Sequence, residues 1–309
     1  MKYTQHSPRD FVSVALLALT IVASYFFVPG FNQPGMYFSI MTQAAIVGIL
    51  ALGMLFVLVC GDIDLSIGGQ STLYSILCAY FLKNLSMPLL AAIVLTLLAA
   101  AFTGLLIGWG IDCLTLNPMV ATIAAAVTLS GLANIISRGF PIFNLPESLL
   151  ALSRLTLGML SVPAALFALL TLLTVFILRY TYWGKFFYAI GSNAAAAEKA
   201  GVPVRRARMY AYMLCSVFCA VAAIAFVGRV GTATLSMGDS YVLDVLTIAA
   251  LAGVGFSGGR GNVLPIVCSA FLLTTLTSAF SALQVAFFYQ DLLKGAILFF
   301  AISTKSRKP

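Results

Sequence analysis

The sequence predicts an all-α polytopic membrane protein with about ten transmembrane helices. Composition is the first sign. The chain of 309 residues is 61% hydrophobic and 8% charged, against roughly 25% charged in an ordinary soluble domain. Its mean hydropathy is +1.06, which no water-soluble core with a polar skin reaches. The third sign is the pattern. Apolar runs of about twenty residues recur, each long enough to cross about 30 Å of hydrocarbon. The runs are continuous and do not alternate, which excludes a β-barrel.

Taken in order, the expected spans are 11–28, 38–60, 65–82, 87–111, 118–137, 159–178, 209–228, 242–256, 263–283 and 287–303. The first is too long for the apolar region of a signal peptide, Asp10 precedes it, and no clean small-x-small site follows, so it reads as a helix. The third and eighth are each short or polar at their start. Residues 1–309 form a single transmembrane domain, with no soluble domain and no low-complexity linker.

Basic residues set the orientation. With a cytoplasmic N-terminus and ten crossings, Lys2, Arg9, Arg179, Lys185, Lys199, Arg205, Arg206, Arg208, Arg260, Lys305, Arg307 and Lys308 lie inside. That is 12 of the 17 basic residues. Lys83, Arg138, Arg154 and Arg229 lie outside, and Lys294 falls within the tenth span. Both termini are therefore expected in the cytoplasm. The net charge of +8 reports orientation and gives no ground for a nucleic-acid partner. The cysteines at 60, 78, 113, 215, 219 and 268 lie in or beside apolar spans. They read as small packing residues, with no metal expected.

Two polar stretches stand out. The outer one, 138–158, carries two prolines and mixed charge and is expected to form a short lid or interfacial helix. The inner one, 179–208, contains AAAAEKAG, a strongly helix-favouring run. Asn193 is its expected N-cap, and Gly201 its stop before Pro203. VRRAR follows, which fits either a docking element or contact with anionic lipid headgroups.

Spans two to five begin outside and spans seven to ten begin inside, so the two blocks have opposite expected topology. Acidic residues open the second member of each: Asp62 and Asp64 before span three, Asp239 and Asp244 before span eight. Polar residues open the fourth members, at Asn117–Pro118 and at 289–294. Inverted repeats of this kind build many transporters, with the pathway between the halves. Small residues at Ala100, Gly104 and Gly108 in span four, and at Ala249, Gly253 and Gly255 in span eight, are expected to serve close helix packing.

The stretch CGDIDLSIGG at 60–69 places two aspartates between apolar runs. Three roles compete. Asp64 caps span three at the positive end of its helix; or its carboxylate lines a polar path at a broken helix end; or the pair holds Mg²⁺ for catalysis. Residues two apart do not share a helix face, and no clustered carboxylate motif accompanies them, so the third role fails. Capping is the favoured reading of the other two. GFSGGRGN at 255–262 is the nearest approach to a phosphate-binding loop, but it lacks the GK[ST] ending. The chain is expected to be no enzyme and to hold no cofactor. An ATP-driven system would need its ATPase on another chain docked at 179–208.

The blocks LGMLFVLVCGDIDLSIGG (52–69), NPMVATIAAAVTLSGLA (117–133), GKFFYAIGSNAAAAEKAGVPVRRAR (184–208), GDSYVLDVLTIAALAGVGFSGGRGNVLP (238–265) and YQDLLKGAILFFA (289–301) resemble the permease subunits of ribose- and arabinose-type ABC sugar importers. They occur in the same order as in that family and cover nearly the whole chain. The resemblance implies a bacterial inner-membrane permease that moves a monosaccharide, pentose-like, by alternating access. It implies a second permease subunit, identical or paralogous, a periplasmic sugar-binding protein, and a cytoplasmic ATPase that uses ATP and Mg. It also implies that Asn193, Glu198, Gly201, Arg205 and Arg206 couple to that ATPase. Asp64, Ser66, Asn117 and Asp244 are the pathway candidates. Two letters depart from the family pattern: Asp62 stands where it usually has Gly, and Val242 where it usually has Glu. An ion-coupled secondary transporter, and an ABC permease for a nucleoside or amino acid, are the alternative readings.

Overall fold

The computed structural model describes residues 8–157 and 160–303. Its elements are α1 (Pro8–Phe27), α2 (Pro34–Cys60), α3 (Ile67–Lys83), α4 (Leu89–Cys113), α5 (Pro118–Ser137), α6 (Glu147–Arg154), a small hairpin of β1 (Thr156–Leu157) and β2 (Leu160–Ser161), α7 (Val162–Tyr180), α8 (Tyr182–Ser192), α9 (Ala194–Lys199), α10 (Val204–Val230), α11 (Asp239–Leu251), α12 (Val263–Ala282) and α13 (Phe287–Ser303). Each expected apolar stretch is helical. Six of the helices, α2, α4, α5, α7, α10 and α12, are long and apolar enough to cross a bilayer unaided, and α1 holds a shorter apolar stretch, Val12–Phe27. The protein is an all-helical polytopic membrane protein.

The bundle is built around α2. Pro34 opens it, where a missing N–H costs nothing, and Gly61 closes it in the left-handed region at φ 93°. Every residue from 44 to 60 is buried, so this helix is apolar all round because protein, not lipid, surrounds it. Helices α7, α8, α10, α11 and α12 pack on it. Phe56 marks the tightest part, with the rings of Phe187 on α8 and Phe218 on α10 edge-on at 6.1 and 5.6 Å.

Close contacts are made where glycine removes a side chain. Gly104 and Gly108 on α4 let α10 approach: a Cβ at Gly104 would lie 2.6 Å from the Tyr212 carbonyl oxygen, and one at Gly108 would lie 2.7 Å from the Met209 Cα. The packing expected of the four-residue spacing in span four is borne out. In span eight Ala249 is buried, but Gly253 has a different role. It ends the helix in the left-handed region at φ 70°, so α11 stops at Leu251, short of the expected 256.

Helix α11 has 13 residues, about 20 Å at 1.5 Å per residue, too short to span alone. Its start abuts the start of α3 within the bundle. A Cβ at Gly238 would lie 1.9 Å from the Gly68 carbonyl oxygen, and the Gly238 N–H donates to Thr72 Oγ1 at 3.1 Å.

The connections fall into two groups. At one end of the bundle, termed lower, the 61–66 connection meets α8 and the 252–262 turn. The Gly259 N–H donates to the Val59 carbonyl at 3.0 Å and the Tyr188 hydroxyl to the Gly261 carbonyl at 2.7 Å. The glycine-rich turn is consumed by this packing, since a Cβ at Gly258 would lie 2.6 Å from the Gly61 Cα. At the upper end, Ile142 pairs with Ala233 in an antiparallel bridge and Lys83 Nζ donates to the Phe143 carbonyl at 2.5 Å. The helix expected within 138–158 is α6, an amphipathic segment with Leu149 buried.

Two boundaries differ from expectation for one reason. The 179–208 stretch predicts a single short helix, yet α8 precedes it, with Phe187 and Ile190 buried. Likewise α10 begins at Val204 and not at 209, so VRRAR is its first turn and not a loop. Hydropathy cuts a helix where charge begins, whereas the backbone continues as long as its hydrogen bonds do.

Candidate functional site

The break between α2 and α3 holds a fully buried polar cluster. Asp64 Oδ1 accepts from the Ser66 backbone N–H at 2.8 Å and from the Ser66 hydroxyl. Gln70 Nε2 donates to Asp64 Oδ2 at 3.2 Å and to Ser66 Oγ at 2.6 Å. Ser216 on α10 then donates to Gln70 Oε1 at 2.7 Å. All four side chains are inaccessible. The expected cap by Asp64 is not made: Ser66 stands at the N-cap without a side-chain cap bond, and Asp64 accepts from the N–H of Ser66 itself, ahead of the helix. Three donors, the Ser66 N–H, the Ser66 hydroxyl and Gln70 Nε2, satisfy its buried oxygens.

Asp62 has a different environment. Arg208 Nε lies 2.8 Å from Asp62 Oδ2, and Arg208 Nη1 pairs with Asp112 Oδ1 at the end of α4. These side chains are between 7% and 19% exposed, so the attraction acts largely out of water. One guanidinium thus ties three segments: the 61–66 connection, α4 and α10. Sequence reasoning misses both Asp112 and the Asp62–Arg208 pairing. The available signal is slight: Asp112 is a lone acid near a span end, and Arg208 is one of three arginines in VRRAR, so residue order does not say which of them it meets.

The four pathway candidates are not gathered at one point. Asp64 and Ser66 lie together in the break. Asn117 is exposed and caps α5, its Oδ1 accepting from the Met119 N–H at 3.0 Å. Asp244 on α11 pairs with Lys294 of α13 at 2.7 Å, and Asp291 stands 3.5 Å from the same ammonium. Lys294 is thereby buried in an apolar helix with its counter-charge.

The lower-end residues are arranged as a surface. Asn193 Oδ1 accepts from the Ala196 N–H at 2.9 Å, so it caps α9 as expected. Gly201 has φ +83° and donates its N–H to the Glu198 carbonyl at 2.9 Å, also as expected. Asn193, Glu198, Gly201, Arg205 and Arg206 are all exposed, while Ala197 between them is buried. Beneath this surface Gly191 seats α8 on α2, for a Cβ there would lie 1.9 Å from the Val59 carbonyl oxygen. The cysteines are all free: Cys60, Cys78, Cys215 and Cys219 are buried, and Cys113 and Cys268 partly so. At the upper end a cleft of about 440 Å³ opens between the ends of α3 and α5, lined by Tyr80, Asn84, Ser137 and Arg138 among others.

Comparison with known proteins places the chain in a family. The family model described as branched-chain amino acid transport system / permease component matches residues 36–302. The chain is 31% identical over 300 residues to the ribose import permease protein of Bacillus subtilis (strain 168), covering 96% of this chain and 92% of that one. It is 28% identical over 321 residues to the galactose/methyl galactoside import permease protein of Escherichia coli (strain K12), covering 96% and 93%. It is 29% identical over 290 residues to a probable ABC transporter permease protein of the same organism, covering 92% and 87%. No solved structure matches. The chain belongs to the branched-chain amino acid transport system / permease component family, and the resemblance to sugar-import permeases carried by its motifs extends over nearly its whole length.

Proposed function

We propose that this chain is the transmembrane permease subunit of a bacterial ABC importer for a monosaccharide. The observation that carries the reading is the full-length similarity to ribose and galactose import permeases. The family's description names branched-chain amino acids, but these relatives are sugar permeases, and they match from end to end. The permease crosses the inner membrane ten times, with both termini in the cytoplasm, as two inverted blocks. The meeting of α3 and α11 at Gly68 and Gly238 supports that arrangement, because inverted repeats bring broken helices together near the membrane centre. The gathering of 61–66, 179–208 and 252–262 at one end supports their common cytoplasmic side.

In this reading the exposed surface of α9 and the first turn of α10 receives a cytoplasmic ATPase, which uses ATP and Mg. A second permease, identical or paralogous, completes the conduit, and a periplasmic sugar-binding protein delivers the sugar to the upper end. Asp64, Ser66, Asn117 and Asp244 serve the pathway, Asp64 and Ser66 by holding the broken start of α3. Sugar contacts need be only weak, since a ligand shifts a two-state equilibrium by its difference in affinity and not by its total affinity.

The test is a pull-down of the tagged chain from native membranes. A P-loop ATPase that co-purifies, and is lost when 193–208 is disrupted, supports the reading. A chain that purifies alone, folded and active in uptake, overturns it in favour of an ion-coupled carrier.

A further inference from the structure

We infer that Arg208, through its paired contacts with Asp62 and Asp112, is the positioning residue that transmits movement of the α9 surface to the broken start of α3. The inference rests on the ABC-importer reading above and adds a route through this chain.

Continuity of the route begins at α9. The Val202 N–H donates to the Ala197 carbonyl at 3.0 Å and the Gly201 N–H to Glu198 at 2.9 Å. The link from α9 to α10 is therefore folded back on α9 and does not hang as slack chain. Displacement of α9 is carried into Val204, the first residue of α10. Arg208 stands one turn further on. Its guanidinium holds Asp62 at 2.8 Å and pairs with Asp112, so the first turns of α10 cannot move without pulling the 61–66 connection or breaking a sheltered ion pair.

A second grip lies higher on the same face of α10. Residues 208, 212 and 216 are spaced at four and share that face. Ser216 holds Gln70, which holds Asp64 and Ser66. Between the two grips the Tyr212 hydroxyl is buried without a hydrogen-bond partner among the described residues, so it adds no third bond. The start of α3 is thus fixed to α10 at two heights, by charge below and by neutral hydrogen bonds above. Its other wall is α5, packed so closely that a Cβ at Gly69 would lie 2.3 Å from the Ala126 carbonyl oxygen, but the hydrogen bond from that side is long, Thr122 to the Ile63 carbonyl at 3.4 Å. The lower grip depends on Asp62 and Asp112, the two carboxylates that Arg208 holds.

The test uses the assembled importer with its co-purified ATPase in lipid nanodiscs. Spin labels at Asn84, after α3, and Gln284, after α12, both exposed, report movement of α3 between the nucleotide-free and ATP–vanadate-trapped states. ATP hydrolysis is measured on the same samples. In Arg208→Gln, hydrolysis persists while the trapped-state distance change shrinks by about five-fold or more, and Arg208→Lys restores most of it. Arg208→Gln leaves two buried carboxylates unpaired, so a neutral triple variant, Asp62→Asn/Asp112→Asn/Arg208→Gln, controls for folding. It assembles and hydrolyses ATP but still fails to move α3. Wild-type movement in either the single or the triple variant overturns the inference, because the ion pairs would then only balance charge. A wild-type chain that recruits no ATPase overturns the importer reading itself, and this inference with it.

Discussion

Gly68 and Gly238 meet backbone to backbone inside the bundle, and a Cβ on Gly238 would stand 1.9 Å from the Gly68 carbonyl oxygen. The obstructing atom is main chain, so no rotamer change relieves it. Gly238→Ala is expected to destabilise the protein by about 1–3 kcal/mol, seen as a lowered melting temperature in detergent. Gly110→Ala is the control. Its Cβ would meet nothing within 4 Å, and the change is expected to raise stability by up to about 1 kcal/mol through helix propensity.

Asp64 is the acceptor for donors on Ser66 and Gln70. Asp64→Ala leaves the Ser66 N–H and hydroxyl buried without their acceptor, at about 1–3 kcal/mol per group, while Gln70 keeps its bond to Ser66 Oγ. Asp64→Asn keeps one carbonyl oxygen for the Ser66 N–H and is expected to lose less. Thermal denaturation of the two variants side by side checks the ranking, and equal losses would show that the acceptor is unimportant.

The Asp244–Lys294 pair ties α11 to α13. Lys294→Met removes the cation and leaves Asp244 facing Asp291, and breaking a buried pair from one side costs about 3–5 kcal/mol. Asp244→Asn with Lys294→Met removes both charges and is expected to recover most of that loss. A double-mutant cycle on the melting temperature measures the coupling.

The α9 surface is expected to separate stability from transport. Asn193→Ala removes the cap and costs about 0.5–2 kcal/mol locally. Ala197→Pro removes the N–H that bonds to the Asn193 carbonyl at 2.9 Å, within a helix of six residues, and α9 is expected to unfold. Uptake should then fall by about ten-fold or more while membrane insertion is unchanged, as expected when an element that orders a site is lost. Normal uptake by Ala197→Pro would remove α9 from the coupling route.

The pathway assignment predicts that transport responds to Asp64→Asn more than to Asn117→Ala. Asp64 lies in a fully buried network, whereas Asn117 is an exposed cap. Uptake assayed at equal expression checks this, and the reverse order would move the pathway toward the lower end of α5.

Much of the local architecture is legible in the order of the residues. Helices fall where the apolar runs fall, Asn193 caps α9, Gly201 stops it, and the four-spaced glycines of α4 receive α10. Local hydrogen bonds and one-turn periodicities determine such features, and both are written into adjacent residues. Helix ends bearing charge are less legible. The first turn of α10 is basic, and hydropathy does not register a helix that continues into polar surroundings.

Residue order is enough to establish that the chain lives in lipid, that its segments are helical, where each apolar run begins, and which family its motifs resemble. It leaves to packing that α2 lies at the centre, that Arg208 holds both Asp62 and Asp112, that Lys294 answers Asp244, and that α3 and α11 start against each other. A span that is apolar on every face carries no mark of which face meets protein and which meets lipid. Ion pairs between residues distant along the chain exist only once packing has brought their helices within reach.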